Sequence, residues 1–183
     1  MIGPRRRGAK AYGDVGLALG VAVVVLLAFG VLGCRVAEAP RWEVARVDDG
    51  DTLVLSFGTK RTRVRLAGID APEKGQPFAR ESREMLAELM SGGPIGVEKT
   101  GEDRYGRTLA VVYVGAVNVN ERMVAQGGAW WYERFAPTNR ALERLQAGAR
   151  ARPVGLWGEE PAPIPPWEWR ASRDRTQGQR TAR

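Results

Sequence analysis

The 183-residue sequence predicts an α+β fold: a small five-stranded antiparallel β-barrel with about three helices, preceded by an N-terminal hydrophobic anchor or signal segment. Three observations predict it. Five short β-prone runs come mostly early, helix-period segments are interleaved late, and the one long uncharged stretch is confined to residues 15–34. The chain accordingly divides into an address segment (1–40), a folded domain (41–158) and a Pro/Trp- and Arg-rich tail (159–183).

The barrel is read in order. Residues 42–47 alternate apolar and polar, as a half-buried strand does. Asp48-Asp49-Gly50-Asp51 is a turn signal, 52–57 a second strand and Gly58-Thr59-Lys60 a hairpin turn. The third strand, 61–66, sets Arg61, Arg63 and Arg65 on one face and Thr62, Val64 and Leu66 on the other. After a loop through Pro72 to Pro77, residues 81–90 read as a helix with Met85, Leu86 and Leu89 on one stripe. A short strand at 95–99, a turn at Asp103-Arg104-Tyr105-Gly106 and a β-prone run at 108–114 complete the five. Residues 120–126 and 138–150 read as helices, the first stopped by Gly127-Gly128 and the second by Pro153. Gly155-Leu156-Trp157 is expected to pack back on the core. Five strands in this arrangement point to an OB-type barrel.

Composition narrows the chemistry. The chain has no histidine, which excludes imidazole bases, His-based triads and His metal sites. Its single cysteine, Cys34, excludes an intramolecular disulfide and a Cys-rich zinc site. Catalysis must rest on carboxylates, guanidinium groups, amines or hydroxyls, a set that suits a hard, oxygen-ligated cation. The formal charge of +7 falls to +4 when the residues before the hydrophobic block are set aside, a modest excess compatible with a polyanion partner.

Residues 1–10 carry Arg5, Arg6, Arg7 and Lys10, and no charge occurs from Val15 to Cys34. Twenty such residues in a helix reach roughly 30 Å, the thickness of a bilayer core. Basic-then-apolar order also describes a secretory signal, and the positive end is expected to stay in the cytoplasm. Three endings remain open. Val31-Leu32-Gly33-Cys34 resembles a bacterial lipobox that would lipidate Cys34; the segment would otherwise persist as an anchor, or be cleaved after Ala37-Glu38-Ala39. Each places the domain outside the cytoplasm, membrane-anchored or secreted.

Two acid clusters stand out: Asp48-Asp49-Gly50-Asp51-Thr52 between the first two strands, and Asp70-Ala71-Pro72-Glu73 after the third. Each alone matches a routine turn or loop start. As hairpin neighbours, however, strands two and three bring Asp51 and Asp70 to one end of the barrel. Converging carboxylates repel unless a cation sits between them. Arg65 lies on the polar face of that hairpin, and Arg107 follows the Asp-Arg-Tyr-Gly turn. Two metal-binding acids, a spare carboxylate in Glu73 and two planar guanidinium forks suit a phosphodiester.

These residues carry a family resemblance. Val47-Asp48-Asp49-Gly50-Asp51-Thr52, Val64-Arg65-Leu66-Ala67-Gly68-Ile69-Asp70-Ala71-Pro72-Glu73 and Asp103-Arg104-Tyr105-Gly106-Arg107 resemble the three signature blocks of the thermonuclease (staphylococcal-nuclease-like) family. Gly155-Leu156-Trp157 resembles its usual ending, and the similarity runs over residues 42–157. The resemblance implies a Ca²⁺-dependent nuclease that cleaves DNA, and RNA as a further substrate, to 3′-phosphate products. It implies Ca²⁺ ligation by Asp51, Asp70 and the Ala71 backbone carbonyl, where the family often has threonine. Asp49 becomes a supporting acid around the ion, Glu73 the base or water-orienting group, and Arg65 and Arg107 the groups on the scissile phosphate. Tyr105 matches a position near the bound nucleotide, Tyr132 is a candidate for base stacking, and Lys74 is a candidate substitute for a lysine on the family's longer loop.

Two other readings compete. One is a catalytically silent OB-type nucleic-acid-binding module, against which all five acids and arginines stand intact. The other is an envelope interaction domain working through its Trp-rich tail, which leaves the acidic end unexplained. Trp130 and Trp131 fit either base stacking or core packing. The tail, with five arginines and one acid after residue 169, reads as a solvated segment. Neither a protein partner nor an oligomer is called for, so a monomer is expected.

Overall fold

A computed structural model describes residues 41–161 and 163–181, with side chains described to residue 175. The hydrophobic segment at 15–34, Cys34 and the candidate cleavage site at 37–39 lie outside the described residues.

The barrel strands are β1 (Trp42–Val47), β2 (Thr52–Phe57), β3 (Lys60–Leu66), β5 (Ile95–Glu102) and β6 (Thr108–Val114); two-residue strands β4 (Ile69–Asp70), β7 (Val117–Asn118) and β8 (Trp130–Trp131) accompany them. Neighbours run β3-β2-β1-β5-β6, and a pairing of β3 with β6 closes the ring. That last pairing is parallel, with Val64 opposite Thr108 and Leu66 opposite Ala110. The expected antiparallel barrel is thus a mixed one. The reason is arithmetic: an odd ring of strands cannot alternate direction at every joint, so one pair must run parallel. β5 also runs three residues past its expected end, because a bulge between Lys99 and Gly101 bends it around the barrel instead of stopping it.

Alternation fills the interior. Leu53, Leu55, Val64, Leu66, Ala110 and Val112 are buried in the barrel core. Helix α1 (Ala79–Met90) buries Ser82, Leu86 and Met90, one residue per turn, with Met85 and Leu89 packed beside them. Helices α2 (Val119–Ala125) and α3 (Arg140–Ala151) start where asparagine caps them. The Asn118 side chain accepts from Glu121 N–H, and that of Asn139 from Leu142 N–H. Buried Asn120 ties α2 to the barrel: its Nδ2 donates to the carbonyls of Ala67 and Ala110, and its Oδ1 accepts from Val112 N–H. The Gly155–Gly158 turn packs back as expected, with Leu156 fully buried and its N–H bonded to Gly127 O at 2.9 Å. A Cβ on Gly127 would lie 2.1 Å from Val154 O, so only glycine lets these backbones meet.

The C-terminal region departs from expectation. Residues Pro166–Thr181 form a further helix, α4, where an irregular tail is expected, and its residues 171–175 are exposed to solvent. The prolines precede the helix rather than interrupt it. Pro166 takes the first helical position, where its missing N–H is harmless, and Glu168 follows in the first turn.

Candidate active site

The end of the β2–β3 hairpin builds the site. Thr52 pairs with Arg65 across the hairpin, and Leu66 N–H bonds to Asp51 O at 2.8 Å. Asp51 therefore sits at the barrel mouth beside the turn that leads into β4. Asp70 is fixed there by the pairing of β4 with β8, opposite Trp130. Both acids are buried.

Arg65 clamps the pair. Its Nε lies 3.1 Å from Asp51 Oδ1, and its Nη2 lies 2.8 Å from Asp70 Oδ1. Its Nη1 donates to the carbonyls of Leu66 and Ile69, at 2.9 and 2.8 Å. This arginine thus holds the acids and the turn in addition to facing the site. Unpaired, two buried carboxylates would be expensive. Asp51 Oδ2 accepts from Ala71 N–H at 2.6 Å, and Asp51 Oδ1 from Thr52 Oγ1 at 2.9 Å. Ala71 is itself buried beside Asp51.

Electrostatics mark the cluster as acid-rich. Burial, reinforced by the nearby Asp51 charge, pushes the Asp49 carboxyl up to about 7. Asp49 Oδ1 accepts from Asp51 N–H at 3.0 Å, which sets it behind Asp51. Burial also raises the Asp70 carboxyl, with Arg170 and Arg65 pulling the other way.

Arg107 reaches the site from the turn before β6. Asp103 orients it through Oδ2, 2.6 Å from Arg107 Nε, and through Oδ1, which accepts Arg107 N–H at 3.0 Å. The Arg107 hydrogen bonds outweigh burial and hold the Asp103 carboxyl below its usual range. Arg107 Nη1 stands 3.5 Å from Thr52 Oγ1, which in turn touches Asp51. Tyr105 projects from the same turn, 69% exposed, with the Arg107 guanidinium 5.7 Å from its ring centre.

Glu73 follows on the loop after β4. Its N–H bonds to Gln76 Oε1 at 3.0 Å. Its carboxylate meets a partner that sequence reasoning missed. Arg170 of α4 places Nη1 2.5 Å from Glu73 Oε1 and Nη2 2.8 Å from Asp70 Oδ2. Those two acids overcome its burial and raise the Arg170 guanidinium further above its ordinary value. The available signal was the Pro-Trp-Glu helix start just before it. The contacts thus link Arg107, Thr52, Asp51, Arg65, Asp70, Arg170 and Glu73 in one chain.

The structure also places the remaining candidate residues. Tyr132 stacks on Trp167 of α4, ring centres 5.2 Å apart and planes 4° off parallel. Trp130 and Trp131 are buried, so they belong to the packing and not to a stacking surface. Lys74 is exposed, and its ammonium pairs with no carboxylate among the described residues.

A mixed barrel whose mouth joins buried acids to arginines defines a thermonuclease-type phosphodiester hydrolase. Comparison with known proteins agrees. The family model described as staphylococcal nuclease homologue matches residues 63–159. A protein of Haemophilus influenzae named an uncharacterised endonuclease is 42% identical over 147 residues, 80% of this chain and 82% of that one. A Shigella flexneri protein named micrococcal nuclease is 37% identical over 171 residues, covering 85% and 98%. A protein of Escherichia coli O157:H7, again named an uncharacterised endonuclease, is 44% identical over 128 residues, covering 69% and 82%. The chain belongs to the staphylococcal nuclease family.

Proposed function

We propose that this chain is a Ca²⁺-dependent nuclease that hydrolyses DNA, and also RNA, to 3′-phosphate products. The observation that supports it most is the single contact chain running from Arg107 to Glu73 across the barrel mouth.

Among the described residues, no three acids converge as a ready-made cage for an ion. The donor set still fits calcium. Asp51 and Asp70 offer two hard oxygen donors, the Ala71 carbonyl is the third candidate, and water and phosphate oxygens supply the rest. The raised carboxyls of Asp49 and Asp70 favour a cation that relieves their crowding. Bound calcium would neutralise charge developing on the phosphoryl oxygens.

The chain's own residues do the remaining work. Arg107, held by Asp103, presents a guanidinium edge to a phosphate at the mouth. Arg65 keeps the two acids in register and faces the same space. Glu73 orients or deprotonates the water that attacks phosphorus, and the 5′ P–O bond breaks. Tyr105 offers an exposed ring beside the phosphate-binding arginine for a nucleotide.

An extracytoplasmic location, as a lipoprotein through Cys34, a single-helix anchor or a secreted monomer, is supported by the uncharged run at 15–34 behind four basic residues. Mass spectrometry of the mature N-terminus from the host distinguishes the three.

Analysis of reaction ends tests the chemistry. Full-length protein and single-stranded DNA with CaCl₂ should yield fragments ending in 3′-phosphate. Binding without fragments favours the silent OB-type module, and 3′-hydroxyl ends contradict the proposed bond cleavage.

A further inference from the structure

We propose that helix α4 is an internal latch on the active site, and that Arg170 competes with the catalytic cation for Asp70. This rests on the reading that Asp51 and Asp70 hold calcium.

Four observations carry it. First, Arg170 takes one of the two acids that a cation would need free, Asp70. Its Nη2 is 2.8 Å from Asp70 Oδ2, while Arg65 already holds Asp70 Oδ1 at 2.8 Å. Both oxygens of the buried carboxylate are therefore engaged by guanidinium groups. A guanidinium and a metal ion cannot share the same lone-pair directions on Asp70 Oδ2, so one must leave for the other to bind.

Second, the same guanidinium ties down Glu73 at 2.5 Å. A carboxylate in a charge-assisted hydrogen bond is a poor acceptor for a proton from water. Latching thus silences the ion site and the water-activating group together.

Third, α4 also covers the nucleotide side. Trp167 lies flat on Tyr132, so the indole fills the face on which a base would stack. Three residues apart on one helix, Trp167 and Arg170 lie on the same face and reach both subsites at once. A nucleotide entering this site meets an aromatic ring and a cation already in place.

Fourth, the approach to the helix is pinned to the catalytic loop. Gln76, which holds the Glu73 backbone, donates from Nε2 to the carbonyl of Ile164 just before α4. Pro166 beyond it is buried.

The latch is built to open. Arg170 is still 39% exposed, and the Trp167 and Trp169 rings are only partly buried. The Arg170–Glu73 arm is half-exposed and contributes little after solvent screening, whereas the Asp70 arm ends on a buried carboxylate that needs a cation in place of Arg170 when the helix leaves. Calcium shifts the helix away to the extent that it binds the unlatched form more tightly than the latched one, and nucleic acid at the Tyr132 side would add to that shift.

Calorimetric titration of CaCl₂ into the full-length protein, without nucleic acid, tests the latch. Arg170→Ala should bind calcium about threefold to tenfold more tightly than wild type. Trp167→Ala, which loosens the helix without touching a carboxylate, should shift affinity in the same direction. Hydrogen exchange of the α4 amides should quicken when calcium is added to wild type. Equal or weaker calcium binding by Arg170→Ala overturns the latch while leaving the cation site intact. Asp51→Asn is the control for the site itself. If that variant binds calcium as wild type does, or if no variant binds it, the cation reading fails and the latch with it.

Discussion

Glu73 and Arg107 differ from the other polar side chains of the barrel mouth in how little of the barrel depends on them, although Glu73 also helps to hold α4 through Arg170. Glu73 is half-buried on a loop, and Arg107 is held chiefly by its own turn through Asp103. Substituting either should therefore alter rate and leave the melting temperature nearly unchanged. Glu73→Gln should lower kcat by about 10²- to 10⁴-fold, the range for a lost general base. Arg107→Ala should lower it by about 10²- to 10³-fold, as for one missing donor to developing negative charge. Single-turnover cleavage with a thermal melt on the same samples checks both. Arg65 is a different case. Because it bridges Asp51, Asp70 and two carbonyls, Arg65→Ala should unfold more readily as well as lose activity. A variant that melts like wild type would contradict the clamp.

Residue positions at the barrel mouth were legible in the sequence where spacing along a hairpin fixed proximity. Asp51 and Asp70 meet because β2 and β3 are antiparallel neighbours, and the alternation of β3 put Arg65 on the polar face. Arg170 was not legible in the same way. It is 100 residues from Asp70, and no local periodicity encodes that contact.

At the scale of elements, the mouth depends on close approach. Gly50 sits in the loop before Asp51, and a Cβ there would fall 1.8 Å from Ser82 Oγ and 2.8 Å from Ala71 Cβ. Ser82 is buried and donates to Gly128 O at 2.6 Å, so it has little room to yield. Gly50→Ala should destabilise the fold by about 1–3 kcal/mol, read from a denaturant midpoint. Asn120 is the second such point. Its side chain makes three hydrogen bonds in the interior, and Asn120→Ala leaves the Val112 N–H and the Ala67 carbonyl seeking partners. A loss of about 1–3 kcal/mol is expected, and a loss below 0.5 kcal/mol would show that water replaces the amide.

Strand positions were easy to read over 52–66, where alternation and turn residues agree, whereas the half-buried alternation expected of 42–47 is absent: β1 has a bulge between Val44 and Arg46 and is exposed at residues 43–46. Two further features were not legible. The end of β5 lies beyond a bulge in which Thr100 is the extra residue between paired Lys99 and Gly101. The start of α4 lies behind prolines that look like a breaker, the last of which, Pro166, opens its first turn. In both, the residue type was right for its local geometry, and only the tertiary partner decided which geometry applied.

At the scale of the whole molecule, the odd-stranded ring explains how one mouth gathers residues from distant parts of the chain. The parallel joint between β3 and β6 brings the turn bearing Arg107 beside the hairpin bearing Asp51 and Arg65. The OB-type barrel was legible from five strands in order, but its mixed character follows only once the ring is closed. Helix α4 then reaches that same mouth through Trp167 and Arg170, so the candidate site and the first turns of this helix meet.

The most direct test of a metal-assisted phosphodiester site at this mouth is the cleavage rate of end-labelled single-stranded DNA by the full chain, measured with CaCl₂ and again with EGTA. Cleavage with calcium and at least a hundredfold loss with EGTA, about the effect of removing one major source of transition-state stabilisation, is the predicted result. Equal rates in the two buffers would contradict it.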